Sequence, residues 1–538
     1  MPPRKVLVIG IDGATFEIIK PMFDAGKLPV IGSLMKRGAW GELESTIPSV
    51  TIPAWVSMLT GKNPGKLGLY DLLQRDGYSV KPNVCCYSEH EPLWDILNRN
   101  GVRTGLINIP GSYPPSDVDG FMITGMMTPS KRSQFCHPPT LCSEIDSATD
   151  GYEIDVGHWE SYEEKAYLEN LIAVTEKRGK AAKYLLQVEP CDFNMIVFTS
   201  SDRLHHALWA KRDAVEIYWE KLDKVIGSLL DCIDDDTTTF IVSDHGFSNL
   251  VGTFYVNEWL HKKGYLKLKR NRIRSAFVKL GQLVEGFFKF LVERKLLKFV
   301  SNFFYELLGI DRMSKYTYSY LSNVNLESRV NWKGTRAFSC IHTPEFGHIY
   351  LNMKDKMEEG IVTKEQREEL RDSIIKELQE LSLPGTKTKI DVFRSEEIYS
   401  GEYLDDAPDI VFMINGGRFE LDGKVGEGKI FVEGAPLTEW TGTHVQEGVF
   451  IAEGPLIKPG EDVKISILDI TPTILHILGI QSPSGLDGEA RTDILNMEIS
   501  PKKETAYPLK QDQGQRVGLS QEELAVIEAR LKKLGYMG

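Results

Sequence analysis

"TTTFIVSDHGF", Thr237–Phe247, is a β-branched apolar run that ends abruptly on an aspartate, a histidine and a glycine. It reads as a buried strand followed by a turn that Gly246 permits. Two other stretches have the same form: "KVLVIG" (Lys5–Gly10) leads into Asp12, and "FNMIVFTSS" (Phe193–Ser201) leads into Asp202. Helical patterns lie between them, such as "EKAYLENLIAVTEKRGKAAKYLLQ" and "RDAVEIYWEKLDKVIGSLLDCI". Alternating strands and helices predict an α/β fold of three layers, α/β/α, around a mostly parallel central sheet. Ligands of such sheets sit beyond the carboxyl ends of the strands, so the three polar strand ends are expected to share one crevice.

The chain has 538 residues, 42% hydrophobic and 26% charged, which is ordinary for a globular protein that folds on its own. With 63 basic and 76 acidic residues the net charge is -13, which disfavours a long nucleic-acid polymer and leaves a small phosphorylated substrate open. Seven cysteines without a C-x-x-C pair are expected to be reduced thiols. The opening "MPPRKVLVIGIDGA" reads as a first strand and not a secretory signal, and a cytoplasmic location is expected.

Four segments are expected: a first part of the catalytic core (1–256), a helical insertion or cap (257–339), a second part of the core (340–488), and a polar linker with a C-terminal helix (489–538). The basic, aromatic insertion contains "SAFVKLGQLVEGFFKFLVERKLLKFVSNFFYELLGI" (Ser275–Ile310), in which lysines, glutamates and an arginine break every window long enough to span a bilayer. An amphipathic helix lying on a membrane surface and a dimer contact are the alternatives to a cap. A sheet-like pattern returns with "FGHIYLN" and "APDIVFMIN". In the tail, Ser520 and Glu523 have capping-box spacing, and Leu524, Ile527, Leu531 and Leu534 form one stripe, so a docked helix is expected.

Asp202 and His206 are one helical turn apart and can address one ion. With Asp12, Asp244, His245 and His444 they make a set of oxygen and imidazole donors suited to zinc, manganese or iron. Each residue alone reads more simply as a cap, a core histidine or a loop residue; the combination carries the inference. "STIPSVTIPAWVSMLTG" (Ser45–Gly61) has two readings: Thr51 caps a helix, or it is a nucleophile. Two metal ions about 4 Å apart would activate such a hydroxyl and clamp a phosphoryl group.

"VLVIGIDGATFEII", "PSVTIPAWVSMLTGKNPGKLG", "SDRLHHALW", "VSDHGF" and "GTHVQEGVFIAEG" together resemble the type I phosphodiesterase/nucleotide pyrophosphatase family of the alkaline phosphatase superfamily. The resemblance implies an alkaline phosphatase-like fold, with one metal on Asp202, His206 and His444. A second would sit on Asp12, Asp244 and His245 together with Thr51. It also implies two divalent ions, zinc with manganese as substitute, and a phosphothreonine intermediate on Thr51. Two positions depart from the family pattern: Leu67-Gly68 stands where His-Gly is usual, and Leu72 stands where nucleotide pyrophosphatases place an asparagine on a phosphate oxygen. Arg75 is close enough in sequence to replace that donor, or else is a solvated surface arginine. His342 and His348 are weighed as pocket residues. A phosphonate hydrolase or phosphomonoesterase of the same superfamily, and a non-catalytic metal-binding scaffold, are the competing readings.

Overall fold

A computed structural model describes residues 4–156, 163–269, 326–340, 345–384, 387–426, 428–434, 440–496, 499 and 519–533. A nine-stranded sheet forms the centre. Its middle consists of five parallel strands in the order Thr238–Val242, Val6–Ile11, Phe193–Phe198, Thr104–Ile109 and Gly120–Thr124. Beyond Thr238–Val242 lie the antiparallel strand Glu447–Glu453, then Ala39–Glu44 and the short Ile465–Ser466. The antiparallel Cys136–His137 closes the opposite edge.

Strand Val6–Ile11 is buried along its whole length, and its alternate side chains enter two separate cores. Val6 and Val8 pack with Trp55, Trp94 and Ile474 on one side; Leu7, Ile9 and Ile11 pack with Leu171, Trp219 and Ile226 on the other. A continuous apolar strand is what two-sided burial requires. The expected three-layer α/β/α architecture therefore forms, with helices on both faces of a mostly parallel sheet.

Residues 337–414 do not extend this sheet. They build a separate antiparallel sheet of four strands, Ala337–Phe338, Gly347–Leu351, Ile410–Ile414 and Ile390–Arg394, with its own apolar cluster around Trp259, Phe338, Ile374 and Phe412. Among the described residues the chain rejoins the main sheet at Glu447–Glu453, about a hundred residues after the expected boundary at 340. An apolar alternation marks both sheets alike, and only the pairing tells them apart. Of the expected helical insertion, the helix Val256–Lys262 and the turn Trp332–Gly334 belong to this second cluster, whereas 270–325 lies outside the described residues. No helix among the described residues is long and apolar enough to cross a membrane.

The cysteine expectation needs one correction. Cys136, at the sheet edge, and Cys142, in the first turn of helix Leu141–Thr149, have Cα atoms 5.5 Å apart and form a disulfide. Five other cysteines are free. At the other end of the chain, helix Gln521–Lys533 docks as expected: Ser520 and Glu523 exchange hydrogen bonds, and Ile527 and Leu531 are buried in the main core. Leu534 lies outside the described residues.

Gly10 is where the sheet meets the site. A Cβ there would lie 2.6 Å from the Trp55 ring and 3.0 Å from Val197, so the missing side chain lets helix Thr51–Thr60 lie close on the strand. Gly10→Ala is expected to lower the unfolding free energy by about 1–3 kcal/mol through overpacking. Urea denaturation measures this; an unshifted midpoint would show that the indole can move aside without loss.

Candidate active site

The three neighbouring strands Thr238–Val242, Val6–Ile11 and Phe193–Phe198 end side by side. Asp12 follows the second directly, Asp244 and His245 follow the first, and Asp202 and His206 lie on helix Ser200–Leu208 after the third. His444 arrives from the short strand Gly442–Val445, paired opposite Phe247 on Gly246–Asn249. All six predicted ligand residues are buried, each 3% exposed or less.

They form two contiguous groups. In the first, His444 Nε2 lies 3.1 Å from Asp202 Oδ1 and 2.9 Å from His206 Nε2, and His206 Nε2 lies 3.4 Å from Asp202 Oδ1. In the second, His245 Nε2 lies 3.1 Å from Asp244 Oδ2 and 3.6 Å from Asp12 Oδ1. The groups touch: donor atoms of Asp202, His245 and His444 fall within 4.8 Å of one another, and the His245 and His444 rings stack at 3.7 Å.

The hydrogen bonds behind the rings decide what the front can hold. Nδ1 lies against a carbonyl oxygen in each ring: Gly442 for His206 at 3.3 Å, Gly246 for His245 at 3.2 Å and Ser49 for His444 at 3.1 Å. A ring that donates from Nδ1 presents a lone pair at Nε2. His206 and His444 therefore aim two lone pairs at each other, and a shared cation relieves that repulsion. Asp12 Oδ1 and Asp244 Oδ2 are buried without hydrogen-bond donors. Tetrahedral zinc with bonds near 2.0–2.2 Å sets its ligand atoms about 3.3 Å apart, close to the spacings here. The donor set fits divalent cations.

The electrostatics point the same way. Burial, reinforced by Asp244 and Asp202, pushes the Asp12 carboxyl well above its ordinary range. Burial also opposes charge on Asp202, but His206, His444 and Arg203 outweigh it and hold this carboxyl well below. His444 is pushed well below the usual histidine range by burial and by the neighbouring His245 and His206, which suits a neutral ligand. His245, though buried, is raised by Asp244. The pocket of carboxylates calls for positive charge.

Thr51 is the first residue of helix Thr51–Thr60, and the N-cap is Val50, which has no side-chain cap. The Thr51 hydroxyl instead lies 3.5 Å from His245 Nε2, and Trp55, one turn along, donates to Asp12 Oδ2 at 3.4 Å. The helix N-terminus adds a favourable field for negative charge at this point. His205, next to His206, is set apart as expected: its ring bonds Gly13 and Trp219 in the core, and burial pushes it down to about 3.

Glu345 was not among the predicted residues. It is fully buried, lies in the turn before the second sheet's strand Gly347–Leu351, and places Oε1 3.2 Å from His444 Nδ1. His206, Glu345 and His444 thereby form a third cluster of donor atoms. No strand-end pattern marks it in the sequence, because its partner comes from a distant strand. Of the two histidines weighed in the same stretch, His342 lies outside the described residues. His348 is buried, with Nδ1 3.8 Å from Asp71 Oδ2, and lines a cavity of about 120 Å³ with Asp71, Arg75, Asn83 and Tyr350. Arg75 is no solvated surface arginine: its guanidinium lies 4.6 Å over the Tyr350 ring. Leu72 is buried. Since partners of metal-ligating histidines tune affinity, Glu345→Gln is expected to weaken zinc or manganese binding about 10–100-fold in calorimetric titration. Unchanged affinity would leave the Ser49 carbonyl as the partner that orients His444.

Among solved structures, murine ectonucleotide pyrophosphatase/phosphodiesterase 5, an inactive variant in complex with AMP, is 13% identical, with 91% of this chain and 100% of that chain covered at a TM-score of 0.49. The human ectonucleotide pyrophosphatase/phosphodiesterase 5 is 14% identical over 92% of this chain and 100% of that chain, again at 0.49. No curated protein sequence matches the chain. The profile of the type I phosphodiesterase/nucleotide pyrophosphatase family matches residues 6–428, a span that takes in five of the six candidate ligand residues and Thr51 and leaves His444 and the C-terminal helix beyond it. The chain belongs to the type I phosphodiesterase/nucleotide pyrophosphatase family, and it is a phosphohydrolase of that kind.

Proposed function

We propose that the protein cleaves a small phosphodiester or nucleotide pyrophosphate through a covalent phosphothreonine on Thr51. The observation that carries this reading is the Thr51 hydroxyl at 3.5 Å from His245 Nε2, released from helix capping and facing the second ligand group. Asp202, His206 and His444 would hold one divalent cation, and Asp12, Asp244 and His245 another; zinc is the expected metal, with manganese as substitute. Such cations supply positive charge that acidifies a nearby hydroxyl and neutralises the transferring phosphoryl group.

In the proposed reaction Thr51 Oγ1 attacks phosphorus, and the P–O bond to the leaving alcohol or phosphate breaks as the new one forms. The threonine proton ends on the leaving oxygen. Water then cleaves the phosphothreonine, which returns the hydroxyl and releases the phosphorylated product. The helix N-terminus at Thr51 favours the anionic substrate where it must bind. Arg75 is assigned a role in binding the substrate's remaining anionic oxygens, in place of the asparagine that Leu72 replaces.

The test is initial rates on bis(p-nitrophenyl) phosphate and p-nitrophenyl phosphate with metal-stripped protein refilled with zinc or manganese. The diester is expected to react faster, only with metal, and Thr51→Ala to lose at least ~10³-fold in kcat. Faster turnover of the monoester would favour the phosphomonoesterase reading, and a fully active Thr51→Ala would end the nucleophile assignment. For location we propose the cytoplasm, whose reducing thiol pool would open the Cys136–Cys142 disulfide to two thiols. Alkylation of freshly lysed cells, followed by mass spectrometry, should label both; an unlabelled pair would place the protein in an oxidising compartment.

A further inference from the structure

The C-terminal helix Gln521–Lys533 reaches the metal site through a chain of charges. Arg530 Nη2 lies 2.5 Å from Asp155 Oδ2, and Asp155 is nearly fully buried. The same oxygen lies 3.6 Å from Nη2 of Arg203, itself buried. Arg203 Nη1 donates to Asp202 Oδ2 at 3.0 Å. The two oxygens of Asp202 are thus divided: Oδ2 belongs to Arg203, and Oδ1 faces His206 and His444. A buried guanidinium between two carboxylates is oriented by both, with the Met126 sulfur a weaker contact of Arg203 Nη2 at 3.7 Å.

We propose that Arg530 is a positioning residue for the metal site: by holding Asp155 it fixes Arg203, which in turn commits one oxygen of Asp202 to the cation. The inference rests on the reading that Asp202 is a metal ligand. The helix also docks without this relay. Ile527 and Leu531 are buried in the main core, and Glu523 accepts a hydrogen bond of 2.6 Å from the Tyr113 hydroxyl. Docking and relay can therefore be separated by mutation.

The experiment uses the full chain, stripped of metal and refilled with cobalt(II), and follows cobalt affinity and the visible d–d absorption. Arg530→Met is expected to weaken cobalt binding about 10-fold or more and to shift the absorption band. Arg530→Lys is expected to restore part of both. Glu523→Ala, which removes the acceptor of the Tyr113 hydroxyl and so loosens docking but not the relay, is expected to leave both unchanged. Asp202→Asn calibrates the site: if it leaves cobalt binding intact, the metal reading itself fails. If Asp202→Asn weakens binding and Arg530→Met does not, the relay is overturned. It is equally overturned if Glu523→Ala matches Arg530→Met, because the helix would then act only by being docked.

Discussion

Three carboxylates, those of Asp12, Asp202 and Asp244, are buried in one cluster, linked through the His245 and His444 rings, and much of the molecule serves to keep them there. Removing a carboxylate from water costs several kcal/mol even after relaxation, and like charges at this range add to that cost. The fold offsets it in two ways. Imidazole rings are interleaved between the acids, each held from behind by a backbone carbonyl, and Arg203 takes the outer oxygen of Asp202. What these contacts leave unbalanced is a local excess of negative charge and lone pairs, and that excess is the driving force for binding a cation. The cluster is a liability to stability and, in the proposed reaction, the source of the chemistry.

Legibility in the sequence followed the backbone. Asp12, Asp202 and Asp244 could be placed together because each ends a strand, and the strands proved to be neighbours in the sheet. Thr51 is ambiguous in the sequence between cap and nucleophile, since both roles favour the same residue type at the same place; the helix start, with Val50 as N-cap, removes the capping role. The two sheets cannot be told apart in the sequence, because antiparallel alternation looks the same in both. Glu345, Asp155 and Arg530 were invisible for a different reason. Their meaning lies in contacts across the fold, and a lone acid in a loop or a lone arginine on a terminal helix carries no periodic signal. The Cys136–Cys142 bridge likewise depends on where a sheet edge meets a helix.

The departures at Leu67 and Leu72 leave the six candidate metal-ligating residues alone. Leu72 is buried and apolar, so it offers no hydrogen bond to a phosphate oxygen. The Tyr350 ring, which lines the neighbouring cavity, is already covered by Arg75 and packs against Phe338 at 5.9 Å. An aromatic base could stack there only by displacing the guanidinium, against an attraction of about 0.5–2 kcal/mol.

The splice between the two sheets also sets a timetable. Thr238–Val242 and Glu447–Glu453 are hydrogen-bonded neighbours, yet the whole second sheet is threaded between them. At ribosomal rates of ~5–20 residues per second, the partner of Thr238–Val242 emerges roughly 10–40 s after that strand does. Throughout that interval the nascent sheet has an unpaired, apolar edge, the kind of surface that invites pairing with another chain. Yield on expression should therefore depend on how quickly the second sheet collapses on its own, a property of residues that, among those described, contribute a single side chain, Glu345, to the candidate ligand clusters.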